Sequence, residues 1–188
     1  MKFIPTDIPE VFIIEPQLFK DNRGYFFESF RASLFNENVC KTTFIQDNES
    51  SSTGGVLRGL HYQLAPYSQS KLVRVIEGEV YDVAVDIRKG SPTFGKYVGA
   101  VLSSENKRQL FIPRGFAHGF LVLSDKATFV YKCDNYYNKD SERGIRFDDP
   151  TINIQWPTTN YELNLSQKDI DAKLLVDADL FNYNEKLY

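Results

Sequence analysis

Short apolar runs alternate with polar residues along most of this chain, and turn-forming residues separate one run from the next. Runs rich in Val, Ile, Phe and Tyr predict β-strands, and a spacing of about eight to twelve residues is typical of an all-β sandwich or barrel. Helical patterns occur at 32–38, 166–173 and 176–181. Strands are predicted at 11–14, 25–30, 42–46, 97–102, 109–112, 120–123 and 128–133, and a polar loop at 47–55. We therefore predict one β domain over residues 1–188, with a short helical tail.

The stretch 71–86 predicts a β-hairpin. Two β-branched runs flank Glu77-Gly78, a dipeptide suited to a two-residue turn because glycine tolerates positive φ. The register that follows from this turn would place four side chains on one face of the sheet: Lys71, Val73, Asp82 and Ala84. We expect a lysine and an aspartate to share that face.

Composition and charge exclude several classes of partner. The chain has 188 residues, of which 42% are hydrophobic and 14% aromatic, enough to build a core. The net charge is -3 and no basic run is interleaved with aromatic residues, which argues against nucleic acid and anionic membranes as partners. Cys40 and Cys133 have no metal-ligand spacing and predict reduced thiols. No segment resembles a signal peptide or a membrane span, so we expect a cytoplasmic protein.

Histidine is scarce, and both copies have informative neighbours. His61 follows Arg58-Gly-Leu in a strand-like run, and His118 ends the element Pro-x-Gly-x-x-His. Either one, judged alone, is more often a structural residue than a catalyst. The second element resembles a half-motif of cupin barrels, but metal-dependent cupins assemble about three histidines and a carboxylate around the ion. Two histidines cannot supply that set, so we expect a metal-free cupin.

Matching runs extend over most of the chain at 21–24, 26–28, 44–48, 55–63, 71–95, 112–120, 131–137, 142–144 and 166–169. In this order they resemble the dTDP-4-dehydrorhamnose 3,5-epimerase family. The resemblance implies a cupin jelly roll, a nucleotide-sugar substrate and a homodimer that exchanges N-terminal strands.

The resemblance also implies catalytic roles: His61 as base, Asp169 as its carboxylate partner, Lys71 beside the enolate oxygen and Tyr131 as acid. These types suit the chemistry, because histidine accepts a proton near neutral pH, lysine stabilises an oxyanion and a phenol stays protonated at pH 7. Without the resemblance, the local patterns favour structural roles. Ser166-x-x-Asp169 is a capping-box pattern, Tyr131 could be a core aromatic, and Lys71 could be a strand-edge lysine.

Further positions match residues that meet the substrate in the family. By resemblance, Arg23, Arg58 and Lys168 would meet the nucleotide, Tyr137 would stack on thymine, and Arg23 and Glu28 would come from the partner subunit. The resemblance also implies contacts to the nucleobase, phosphate or sugar from Gln46, Asn48, Glu142 and His118. Asp82 would hold Lys71 or a histidine. Strict alternation sends Arg58 and His61 to opposite faces, so we predict a bulge or bend at Gly59.

The activity implied is inversion of C3 and C5 in a nucleotide-linked 4-keto-6-deoxyhexose, without a metal or another cofactor. Alternatives within this class invert one carbon, or act on a GDP-linked sugar, including a heptose. A sugar-nucleotide 3,4-ketoisomerase is a second alternative. The third is a cupin that binds nucleotide sugars without catalysis.

Overall fold

Two antiparallel sheets face each other in the computed structural model, which describes residues 1–188. Six strands form one sheet in the order β1-β2-β11-β7-β13-β5: Lys2–Pro5, Phe12–Glu15, Gln109–Ile112, Lys71–Glu77, Lys126–Cys133 and Gln46–Thr53. Five form the other in the order β10-β8-β12-β6-β14: Tyr97–Ser103, Glu79–Asp86, Phe116–Val122, Leu57–Gln63 and Glu142–Gly144. The predicted all-β sandwich is confirmed.

The remaining elements are short. Strands β3 (Phe19–Asp21) and β4 (Gly24–Phe26) form a separate hairpin, and β9 (Arg88–Lys89) pairs in parallel with β15 (Phe181–Asn182). The helices are α1, α2 and two 3-10 turns: Ala32–Asn38, Gln167–Ile170, Lys139–Ser141 and Leu175–Asp177. None of these helices has the length and apolar character needed to cross a membrane.

The main core lies between the two sheets, where inward-facing side chains from both meet. Its largest cluster contains 16 buried residues, including Val73 and Val75 of β7 and Val80 and Ala84 of β8. Burial of these β-branched and aromatic side chains is the main force that holds the sheets together.

The predicted hairpin at Glu77-Gly78 is wrong. Strand β7 pairs with β11 and β13, whereas β8 pairs with β10 and β12, so the turn carries the chain from one sheet to the other. Gly78 has φ +77°, and a side chain there would collide with the carbonyl of Lys126. The predicted shared face is therefore wrong as well, because Asp82 and Ala84 belong to one sheet and Lys71 and Val73 to the other. The two sheets face each other, however, and these side chains point into the same interior.

Several predicted boundaries are also wrong. Strand β5 occupies the polar stretch predicted as a loop, because its alternate side chains Asn48, Ser50 and Ser52 face inward toward a polar cavity rather than an apolar core. The strand predicted at 25–30 ends at Phe26. The second tail helix, predicted at 176–181, is a 3-10 turn followed by β15, whose Phe181 is buried.

Candidate active site

All four predicted catalytic residues line one cavity between the sheets. The cavity has a volume of about 540 Å³, and five elements supply its ionisable groups, including His61 from β6, Lys71 from β7, His118 from β12, Tyr131 from β13 and Asp169 from α2. An adjoining cavity of about 390 Å³ shares three of these side chains, namely His61, Lys71 and Tyr131. The two cavities therefore meet at the catalytic residues.

A bulge at Gly59 brings Arg58 and His61 to the same cavity, as predicted. Strand β12 pairs with β6 at His61 and again at Arg58, but the register shifts between these two pairs. Gly59 has φ +128°, and a Cβ there would lie 2.5 Å from Cα of Gly119. Only glycine fits this conformation and this close approach between strands.

His61 and Asp169 form a hydrogen-bonded pair. Nε2 of His61 lies 2.5 Å from Oδ1 of Asp169, whose side chain is only 4% exposed. Burial alone would raise the pKa of Asp169, but the hydrogen bond and charge of His61, together with a bond from Ser166, hold it below its usual value. Asp169 is therefore ionised at neutral pH, and Nδ1 of His61 has no protein partner.

Ser166 caps helix α2, as the Ser-x-x-Asp pattern predicts. The backbone N–H of Asp169 donates to Oγ of Ser166, which in turn donates to Oδ2 of the same carboxylate at 2.8 Å. One short motif therefore starts helix α2 and fixes the carboxylate that faces His61. Ser166 itself lines the cavity.

Lys71 and Tyr131 lie side by side, with Nζ of Lys71 5.9 Å from the centre of the Tyr131 ring. Burial lowers the pKa of Lys71, while Cys133 and Asp82 act in the opposite direction. Burial raises the pKa of Tyr131, so its phenol is protonated at neutral pH. The pair can supply a positive charge and a proton donor to one ligand.

Asp82 holds His118 rather than Lys71. The Nε2–H of His118 donates to both carboxylate oxygens of Asp82, at 2.9 and 3.1 Å, and both residues are buried. Burial lowers the pKa of His118 and raises that of Asp82. His118 lines the larger cavity. Since its Nε2–H is bound to Asp82, Nδ1 of the neutral imidazole is left to accept a hydrogen bond from a ligand hydroxyl.

The predicted substrate contacts divide between the two cavities: Gln46, Asn48, Tyr137 and Glu142 line the adjoining one, and Arg58, His118 and Lys168 line the larger one. The hydroxyl of Tyr137 donates to Glu142, whose other oxygen lies 2.5 Å from Nζ of Lys168. Gln46 accepts from the backbone N–H of Tyr137 and donates to Asn48. The Arg58 guanidinium donates to Oγ of Ser52 and lines the larger cavity.

Arg23 and Glu28 do not line either catalytic cavity of their own chain. Arg23 is 86% exposed on the β3–β4 hairpin and pairs with Asp21, and Glu28 pairs with Arg31. This position is compatible with their expected contribution to a partner subunit, which stays a prediction.

Some lining residues were not predicted. Phe120 and Phe129 form an apolar wall, and Asn164, Leu165 and Ser166 precede α2. Inward parity along β12 and β13 could have identified the two phenylalanines. Nothing local identifies Asn164, which reaches the cavity because its carbonyl accepts from the backbone N–H of Leu57.

No group of three or more His, Cys, Asp and Glu side chains is arranged to hold a metal ion. Catalysis without a metal or cofactor stays a prediction.

Comparison with known proteins identifies the family. The family model described as dTDP-4-dehydrorhamnose 3,5-epimerase matches residues 5–177. An enzyme of that name from Shigella flexneri is 62% identical over 182 residues, which are 96% of this chain and 99% of that protein.

Solved structures agree. A Legionella pneumophila dTDP-6-deoxy-D-glucose-3,5-epimerase in complex with dTDP-4-keto-L-rhamnose is 53% identical with a TM-score of 0.94, covering 98% of this chain and 99% of that one. A 3'-monoepimerase from Streptomyces bikiniensis in complex with dTDP-quinovose is 34% identical with a TM-score of 0.86, covering 92% and 87%. The chain, with its cupin-like β fold, therefore belongs to the dTDP-4-dehydrorhamnose 3,5-epimerase family.

Proposed function

We propose that His61 and Tyr131 transfer protons on opposite sides of a nucleotide-linked 4-keto-6-deoxyhexose. Membership of the family makes the chain an epimerase that inverts C3 and C5 of such a sugar. The observation that carries the assignment of residues is the single cavity shared by the His61–Asp169 pair, Lys71 and Tyr131. Base, cation and acid are the three groups that this reaction needs.

In the proposed step, Nδ1 of His61 takes the proton from the carbon next to the C4 ketone. The C–H electron pair forms a C=C bond to C4, the π electrons of the C4 carbonyl move to its oxygen, and the Lys71 ammonium group stabilises the enolate that forms. Asp169 stabilises the resulting imidazolium through the hydrogen bond at Nε2. The phenol of Tyr131 then returns a proton to the carbon from the opposite face, and solvent restores both side chains. The ketone acidifies C3 and C5 alike, so one set of groups serves both carbons if the ring reorients.

The test is incubation of the purified protein with dTDP-4-keto-6-deoxyglucose in heavy water, followed by NMR. Deuterium at both C3 and C5 of an inverted product is the expected result. Deuterium at one carbon would indicate a monoepimerase, a moved ketone would indicate an isomerase, and no exchange would indicate a binding protein or the wrong nucleotide. His61→Asn should abolish exchange, and wild-type turnover by this variant would rule out His61 as the base.

Substrate binding is assigned by the same proposal. The diphosphate would lie near Arg58 and Lys168, because guanidinium and ammonium groups suit phosphate oxygens. The nucleobase of the substrate would stack on Tyr137, which is exposed at the edge of the adjoining cavity. Gln46, Asn48, Glu142 and His118 complete the contacts.

The proposed active form is a homodimer with exchanged N-terminal strands. The β3–β4 hairpin exposes Phe19, Tyr25 and Phe26, the last by 69%. An apolar hairpin of this kind is typical of a protein interface, and it carries Arg23.

A subunit-mixing experiment tests this arrangement. In a heterodimer of Arg23→Ala and His61→Asn, one site combines an intact His61 with an intact Arg23 from the other subunit. About half of the dimers that form after mixing are heterodimers, and each has one intact site of two. Mixing the two impaired variants should therefore restore activity at about one site in four. No recovery from a sample shown to contain heterodimers would contradict the partner role of Arg23.

We also propose that residues 1–188 form one folding unit that works in the cytoplasm. Both cysteines are free, Cys133 being buried, as reduced thiols would be. One cooperative unfolding transition and two titratable thiols in the unfolded protein are expected. Two separate transitions, or a disulfide in protein purified without reductant, would contradict the proposal.

A further inference from the structure

A stacked pair of phenylalanine rings forms one wall of the catalytic cavity. Phe120 of β12 and Phe129 of β13 project from opposite sheets, with ring centroids 4.3 Å apart and planes inclined by 16°. Both rings are almost fully buried, and both line the larger cavity. The proposed proton transfers do not use them. They pack in the main core and also present an apolar surface to the cavity, where a ligand can contact it.

This wall adjoins the catalytic groups. The Phe129 ring lies 6.0 Å from the ring of His118 and 6.0 Å from that of Tyr131. Lys71 lies beside the same tyrosine. A ligand held between Lys71 and Tyr131 therefore has the aromatic pair next to it.

The substrate brings one apolar group to this region. C6 is bonded to C5, which is itself bonded to the carbonyl carbon C4. When Lys71 holds the C4 oxygen and C5 meets the catalytic groups, C6 must lie against a wall of the same cavity. We propose that Phe120 and Phe129 form the subsite for the C6 methyl group and select 6-deoxy sugars over sugars with a C6 hydroxyl. This inference rests on the proposed function.

The physical basis of the selection is desolvation. A methyl group loses no hydrogen bond when it leaves water for an aromatic wall, whereas a hydroxymethyl group loses its hydration and gains no partner from phenylalanine. An apolar pocket discriminates against an added hydroxyl by up to about a hundredfold. We expect a preference of about ten- to a hundredfold here.

Two stable probes without a ketone measure the preference directly: dTDP-6-deoxy-D-glucose and dTDP-D-glucose. Their dissociation constants are determined by calorimetry, with dTDP alone as a reference for the nucleotide contacts. The 6-deoxy sugar should bind about ten- to a hundredfold more tightly to the wild-type protein. Equal affinities would overturn the proposal.

Phe120→Val and Phe120→Thr form a matched pair of variants. Valine and threonine have nearly the same shape, so both variants lose the same ring, but only threonine offers a hydroxyl to the C6 oxygen. The preference for the 6-deoxy probe should be about tenfold smaller in Phe120→Thr than in Phe120→Val. The same preference in both variants would place C6 elsewhere.

Binding of dTDP alone verifies that each variant is folded. If a variant does not fold, the ratio of the two probes' dissociation constants for the wild-type protein still tests the proposal. Deuterium exchange on the keto sugar is measured separately. Exchange without discrimination between the probes would refute the methyl subsite and leave the proposed function intact. Absence of exchange would refute the proposed function, whatever the ratio.

Discussion

Replacement of Asp169 by asparagine tests the electrostatic role of the His61–Asp169 pair. Asparagine keeps the size of the side chain and an oxygen that can accept from Nε2 of His61, but it removes the negative charge. In the proposed mechanism, His61 becomes positively charged only after it has taken the proton from the sugar. The lost charge therefore raises the barrier more than it weakens substrate binding.

The contact geometry sets the magnitude. The contacting atoms lie 2.5 Å apart, and the charges are spread over the ring and the carboxylate, so their centres are about 4 Å apart. At an effective dielectric constant of about 20, this separation corresponds to about 4 kcal/mol, or about a thousandfold in rate as an upper limit. The His61 side chain is 29% exposed, and the amide dipole of asparagine remains, so we expect a loss of about a hundredfold in kcat.

The assay is the initial rate of deuterium incorporation from heavy water into dTDP-4-keto-6-deoxyglucose at saturating substrate, with KM determined in parallel. Ser166→Ala is the matched control. It removes the hydroxyl that caps α2 and contacts the same carboxylate, but it keeps the charge. It should lower the free energy of unfolding by about 1 kcal/mol and change kcat by less than about tenfold.

Two results would refute this reasoning. A kcat for Asp169→Asn within about threefold of wild type would mean that the carboxylate does not stabilise the imidazolium. An equal loss of kcat in Ser166→Ala would mean that Asp169 acts by starting the helix rather than by its charge.

Two further substitutions test other parts of the site. Lys71→Met should lower kcat by about a hundred- to a thousandfold because the enolate loses its cation. Since burial lowers the pKa of Lys71, wild-type kcat should fall as the pH rises through a pKa below 10.5. The same fall of kcat at high pH in Lys71→Met would show that a group other than Lys71 causes it. Gly59→Ala should reduce the free energy of unfolding, measured by urea denaturation, by more than about 1 kcal/mol. The new Cβ would collide with Cα of Gly119, and the backbone at position 59 has a positive φ. Unaltered stability would show that the bulge does not require glycine.

The sequence predicted the architecture better than its local connections. The recurring apolar runs define strands whose inward faces must be buried, and this requirement holds whichever strands pair. Glu77-Gly78 has the same local signature in a hairpin and in a corner between two sheets. The difference depends on β11 and β13, which flank β7 and come later in the chain.

Polarity misled the prediction where the cavity replaces the core. The asparagine and serines of β5 suggest a loop, but their inward positions face cavities lined by polar side chains. Conversely, the parity conflict between Arg58 and His61 predicted the bulge at Gly59, because glycine is the residue between them that could absorb it.

The pairing of His61 with Asp169 could not be predicted from spacing, since the two residues are separated by 108 positions. Family resemblance supplied Asp169, and the local Ser-x-x-Asp pattern indicated only the start of a helix. Both contacts are present because one carboxylate oxygen bonds to His61 while the other bonds to Ser166.

The central claim is that His61 removes a proton from one face of the sugar and Tyr131 returns one to the other. The most direct measurement is NMR of dTDP-4-keto-6-deoxyglucose incubated with Tyr131→Phe in heavy water. With the base intact and the acid absent, deuterium should enter next to the ketone while the sugar keeps its original configuration. Inverted product formed at the wild-type rate would contradict the claim.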